Sequence, residues 1–187
     1  MKVSLVNNGK KEPEKLRSLL SEHQVTLYDA TQASNVEDSD LIVLSGSSRF
    51  PIMGNEDELE PEYSLVLNAR VPIIGICYGA ELIARAFGGT LVDLGEGNKE
   101  RDLVDVEVVV PHPMFGGRTH FQAYDAHRWT VEALPHTLEL LARSKHGPEV
   151  FRHRIRPVVG FQFHPEKMVD ESYGDEVFRA VLAHYAH

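Results

Sequence analysis

Two places in this sequence carry residue types suited to covalent acyl chemistry. The segment Ile73-Ile74-Gly75-Ile76-Cys77-Tyr78-Gly79-Ala80-Glu81-Leu82 reads as a buried strand, a Gly-x-Cys-x-Gly turn and a helix. This is a nucleophile-elbow arrangement with cysteine at its centre. A sharp strand-to-helix turn strains the central residue. Side chains two positions to either side would collide, which explains the paired glycines. The turn would lift the sulfur above the carboxyl edge of a sheet, where open α/β sheets bind ligands. It would also set the thiol at a helix N-terminus, where the dipole favours thiolate. The second place is Val158-Val159-Gly160-Phe161-Gln162-Phe163-His164-Pro165-Glu166, an apolar strand ending in His-Pro-Glu. His164, at the strand end, can take a thiol proton. Glu166 can hold the imidazole by its other nitrogen. Pro165 fixes φ and stiffens the turn between them. Taken singly, a buried structural cysteine and a strand-end histidine would explain these residues; taken together they describe a Cys–His–Glu triad.

The elements that must position these groups alternate. Val3 to Val6 reads as a buried strand, and Pro13 opens a helix with Leu16, Leu19 and Leu20 on one face. Val25 to Tyr28 and Leu41 to Leu44 are further strands, the latter stopped by Ser45-Gly46-Ser47-Ser48. Glu56 to Ala69 reads as a helix, Val71 to Cys77 as a strand, and Gly79 to Phe87 as a helix stopped by Gly88-Gly89. Continuous apolar strands alternating with helices imply a parallel sheet covered on both faces. The second half differs. Strand candidates at 104–110, 128–133, 138–142, 150–154 and 158–163 are punctuated by turn signals, and a helix runs over 171–184. The expected fold is α/β: an open mixed, mostly parallel sheet flanked by helices, with an antiparallel extension.

The pairing of Gly75-Ile76-Cys77-Tyr78-Gly79 with His164-Pro165-Glu166 resembles the class I glutamine amidotransferases, across nearly the whole chain. The stretch Asn98 to Val108, with Phe115 and Tyr124-Asp125-Ala126-His127, is most similar to the amidotransferase subunits of GMP synthetases. The resemblance implies a flavodoxin-like amidotransferase fold in a single domain over residues 1–187. It implies that Cys77 attacks the carboxamide of glutamine, that His164 serves as base and acid, and that Glu166 orients His164. Water would hydrolyse the thioester, and ammonia would pass to a separate ATP-dependent synthetase. The backbone N–H of Tyr78 would stabilise the oxyanion, with Gly46 and Ser47 where the family carries a Gly-Gly-Pro-like turn. Four residues after the nucleophile, where the amidotransferases carry Gln, this chain has Glu81. The γ-glutamyl hydrolases are similar in having Glu there, so a self-sufficient γ-glutamyl hydrolase or peptidase is an alternative. The altered 45–48 loop leaves open a non-catalytic binding or regulatory homologue.

Composition excludes other classes. The chain has 187 residues and a net charge of −9, without the basic footprint of a duplex-binding protein. One cysteine cannot form an intrachain disulfide, so a disulfide-stapled scaffold is excluded. The N-terminal apolar run is too short for a signal peptide, and no stretch is long and apolar enough to cross a membrane. The expectation is a cytoplasmic protein without membrane or nucleic-acid partners. No P-loop or Gly-x-Gly-x-x-Gly appears, so ATP chemistry would belong to the partner. His112, His120, His127, His146 and His153 lack ligand spacing and are expected to be solvated or turn residues, so neither metal nor cofactor is expected. Arg152, Arg154 and Arg156 alternate and should share a solvated strand face.

Overall fold

The structure, a computed structural model, describes residues 1–9, 11, 13–47, 49–95 and 102–186. Ser48 of the loop, and Asn98 to Arg101 of the segment that carries part of the family resemblance, lie outside the described residues.

The parallel half is built from β1 (Lys2–Asn7), β2 (Gln24–Asp29), β3 (Leu41–Leu44), β4 (Ile73–Ile76) and β11 (Val158–Phe161). They pair in the order β2-β1-β3-β4-β11, all parallel. Every residue of β3, β4 and β11 is buried, as a sheet covered on both faces requires. Successive side chains point to opposite faces. Leu5, Val43, Ile74 and Ile76 therefore join one core, and Val6, Ile42, Leu44 and Ile73 the other. Helices α1 (Glu14–Leu19) and α4 (Gly174–Tyr185) contribute Leu16, Leu19, Val177, Phe178 and Val181 to the first core. Helices α2 (Glu60–Asn68) and α3 (Tyr78–Ala86) contribute Val66, Leu82 and Ile83 to the second.

The antiparallel extension continues from β11 through β10 (Gly147–His153), β9 (Leu138–Ser144) and β6 (Asp102–Val108) to β7 (His120–Asp125). A separate two-stranded ladder joins β5 (Thr90–Asp93) to β8 (Trp129–Ala133). The mixed α/β architecture with an antiparallel extension is thus as the sequence implies. Among the described residues, no helix is long and apolar enough to cross a membrane.

Local expectations are corrected in three places. Helix α2 begins at Glu60 rather than Glu56, because Pro61 occupies its first turn, where its missing N–H does no harm. Strand β10 ends at His153, whose Nδ1 accepts from the backbone N–H groups of Ile155 and Arg156. The three arginines therefore share no strand face. Arg152 and Arg154 pair with Glu139, while Arg156 donates to the carbonyls of Val66, Leu67 and Ala69 at the end of α2. Strands β5 and β7 go beyond the strand candidates of the sequence. Strand β7 matters to the site, because the Tyr124 carbonyl accepts from the His164 backbone N–H at 2.8 Å.

Candidate active site

The elbow is a close approach of three backbones. A Cβ on Gly75 would lie 2.5 Å from the carbonyl carbon of Gly79, and one on Gly79 would lie 2.4 Å from the carbonyl oxygen of Leu44. Strand β4, helix α3 and the end of β3 can meet only with glycine at both positions. Between them Cys77 adopts φ 50°, ψ −108°, a region that L side chains rarely occupy. Its N–H donates to the Phe161 carbonyl at 2.7 Å, and its carbonyl accepts from Ala80 and Glu81. The strained residue is thereby tied to the strand that leads to His164.

Gly46 brings the reactive groups together. A Cβ there would sit 3.0 Å from His164 Cε1 and 3.5 Å from Cys77 Cβ, so both side chains border the same small space. The loop that carries Gly46 is held by Asn8, a residue whose importance the sequence does not reveal. Asn8 N–H donates to Ser45 Oγ, Asn8 Nδ2 donates to the Ser45 carbonyl, and Ser47 Oγ donates to the Asn8 carbonyl at 2.6 Å. Ser47 Oγ also accepts from the Arg49 N–H. These bonds supply fixity to a loop that lacks the proline of the family pattern.

His164 Nδ1 lies 2.7 Å from Glu166 Oε1. A carboxylate can only accept, so Nδ1 carries the hydrogen and Nε2 is left as the basic nitrogen. Burial pushes the Glu166 carboxyl up, but the charge and hydrogen bond of His164 outweigh it and hold it below the ordinary range. The thiol behaves differently from expectation. Burial pushes Cys77 well up, and Glu81 and Glu166 add to the effect, while the N–H of Tyr78 opposes them. The expected helix-dipole bias toward thiolate is overturned by desolvation and two nearby carboxylates. The buried surroundings favour the neutral thiol over the thiolate.

Glu81 lies in the first turn of α3. It is buried, Oε1 accepts from Gln162 Nε2 at 3.0 Å, and burial pushes its carboxyl up to about 7. Gln162, which lies between β11 and His164, has no distinguishing signal in the sequence. The histidines divide. His112 Nδ1 accepts from Met114 N–H and caps a turn, as His153 does, but His127 is buried, contrary to expectation. The Tyr78 N–H lies against the sulfur from the elbow side and Gly46 borders Cys77 from the loop side, whereas the Ser47 hydroxyl is turned to Asn8 and Arg49.

A family model described as "Glutamine amidotransferase class-I" matches residues 6–183. The chain is 35% identical over 141 residues to a glutamine-hydrolyzing GMP synthase subunit of Pyrococcus furiosus, covering 74% of this chain and 71% of that protein. It is 30% identical over 172 residues to the subunit of the same name from Methanococcus vannielii, covering 88% and 87%. Among solved structures, a Thermoplasma acidophilum protein provisionally described as a GMP synthase subunit superposes with TM-score 0.87 at 28% identity, over 100% of this chain and 94% of that one. A Thermotoga maritima glutamine amidotransferase shares the fold, with TM-score 0.78 at 20% identity over 100% and 98%.

Proposed function

The chain belongs to the class-I glutamine amidotransferase family, and on that premise we propose that it is the glutamine-hydrolysing subunit of a two-component synthetase of the GMP synthase kind. The names of its relatives support the pathway. The observation that carries the chemistry is the meeting of Cys77, Gly46 and the His164–Glu166 pair at one sheet edge.

In this reading His164 Nε2 takes the Cys77 proton as the sulfur attacks the side-chain carboxamide carbon of glutamine. The developing oxyanion is met by the N–H of Tyr78 and by N–H groups of the Gly46–Ser47 turn. The C–N bond breaks, His164 returns the proton to the nitrogen, and ammonia leaves. Water, deprotonated by His164, then cleaves the γ-glutamyl thioester to give glutamate and the free thiol. Glu166 keeps the imidazole oriented and stabilises its cation in both halves. The raised thiol makes the base essential, because attack and proton removal must be coupled. Ammonia is delivered to a separate synthetase subunit that carries the ATP-dependent step. The whole chain, residues 1–187, serves as the glutaminase domain.

Glu81 favours a second reading, a self-sufficient γ-glutamyl hydrolase, because a buried acid replaces an amide donor beside the nucleophile. Ammonia release from glutamine by the purified chain, alone and with an ATP-pyrophosphatase-type synthetase, tests the first reading. Turnover that rises with the partner and vanishes in Cys77→Ala supports it. No turnover in either condition overturns it. Hydrolysis of γ-glutamyl peptides without glutamine hydrolysis decides for the second.

A further inference from the structure

Beside the active site, and outside the steps above, lies a cluster of buried groups. Asp125 ends β7, His127 lies in the β7–β8 turn, and Glu149 lies on β10; all three are buried, and one ligand atom of each lies within 4.8 Å of the others. Both carboxylate oxygens of Asp125 and the Nε2 of His127 are shielded from solvent and make no hydrogen bond. The two side chains nevertheless aim at each other, with His127 Nε2 3.3 Å from Asp125 Oδ2. Leaving such groups unsatisfied in a protein interior is costly, by about 1–3 kcal/mol each.

The surroundings orient these atoms as ligands. His127 Nδ1 lies 2.9 Å from the Trp129 carbonyl oxygen, which can only accept. Nδ1 therefore carries the hydrogen, and in the neutral ring Nε2 presents its lone pair inward. A backbone carbonyl on the far ring nitrogen is the usual second partner of a metal-bound histidine. Ser144 Oγ donates to Glu149 Oε1 at 2.6 Å, fixing that carboxylate. Glu81 is a third buried carboxylate nearby, close enough for the His127 charge to act on it.

We propose that Asp125, His127 and Glu149 form a buried site for a divalent transition-metal ion, with one nitrogen and two oxygen ligands. That donor set suits zinc or manganese rather than a soft ion. Zinc binds nitrogen and carboxylate oxygen at about 2.0–2.2 Å, so its ligand atoms must stand no more than about 4.2 Å apart. The His127–Asp125 spacing of 3.3 Å already meets this, and every pair of ligand atoms lies within 4.8 Å. The ion would offset the local negative charge and staple β10 to the β7–β8 turn. It would also stiffen the floor of the catalytic site. Gln162 donates its backbone N–H to the Glu149 carbonyl, and its side chain holds Glu81.

The competing account is a metal-free His127–Asp125 ion pair. The test uses the full chain carrying Cys77→Ser, so that zinc cannot be captured by the reactive thiol. After incubation with zinc at pH 8 and gel filtration, elemental analysis should find one zinc per chain, with a higher Tm than the chelator-treated protein. The isosteric variants Asp125→Asn, His127→Gln and Glu149→Gln should each lower retention at least tenfold. Cobalt(II) substitution gives a readout that needs no variant to fold: a tetrahedral nitrogen–oxygen ligand-field spectrum. Absence of stoichiometric zinc, equal retention in the variants, or a cobalt spectrum of the hexaaqua ion would overturn the proposal.

Discussion

Two histidine–carboxylate pairs lie near Cys77, and they are wired in opposite senses. In His164, Nδ1 is given to Glu166 at 2.7 Å, so Nε2 is free for a reacting atom. In His127, Nδ1 is given to the Trp129 carbonyl, so Nε2 faces Asp125 instead. The first pair shares the space bordered by Gly46 and the thiol, and its hydrogen bond is short. The second is sealed and makes no hydrogen bond between its members. The same two residue types thus leave a ring nitrogen open beside the thiol in one place and form a ligand-like cluster in the other. Which ring nitrogen the backbone or carboxylate occupies decides between them.

Breaking the first pair should have the larger consequences. Cys77→Ala should lower glutamine hydrolysis by about 10⁴-fold or more, with unchanged circular dichroism, since loss of a nucleophile removes the covalent route. Glu166→Gln should lower kcat about 10³-fold with little change in KM, because the imidazole loses its fixed tautomer and the stabilisation of its cation. Gly46→Ala should lower kcat about 10²-fold in steady-state assays, since its methyl would press on the His164 ring at 3.0 Å. A Gly46→Ala enzyme with wild-type kcat would show that the loop does not set the position of the base.

The second flank is read through stability. Burial raises Glu81 from 4.5 to about 7, so between those pH values the folded protein holds a proton that the unfolded chain has released. Stability therefore falls as pH rises through that window. Glu81→Gln removes this contribution, and its advantage over wild type should grow by about 1–3 kcal/mol between pH 5 and pH 8 in denaturant titrations. A pH-independent difference would mean that Glu81 is not protonated in the folded state.

The first flank is far more legible in the sequence than the second. Gly75 and Gly79 announce their contacts because only glycine fits where an added Cβ would come within 2.4–2.5 Å of another backbone. His164 and Glu166 are two residues apart, so a local turn suffices to join them. Asn8 and Gln162 carry no such signature. Asn8 reaches Ser45 and Ser47 across two parallel strands, and Gln162 reaches Glu81 over 81 positions of chain. His127 reads as a turn residue, and it does lie in a turn, but β7 and β8 fold that turn inward. Strand β7 is hard to read because its alternation is short and one of its three inward positions is the polar Asp125, leaving only Phe121 and Ala123 as apolar inward positions. The helix N-terminus at Cys77 is legible, but the weight of its dipole depends on the sulfur being buried beside Glu81 and Glu166, which only the fold reveals.

In the proposed reaction, Cys77 is a neutral thiol activated by His164. Peptide mass spectrometry after inactivation with a diazoketone analogue of glutamine tests it most directly. One adduct per chain, on Cys77, with labelling slowed about 10²-fold or more in His164→Asn, is the expected result. Inactivation that leaves Cys77 unmodified, or labelling that is indifferent to the loss of His164, would contradict it.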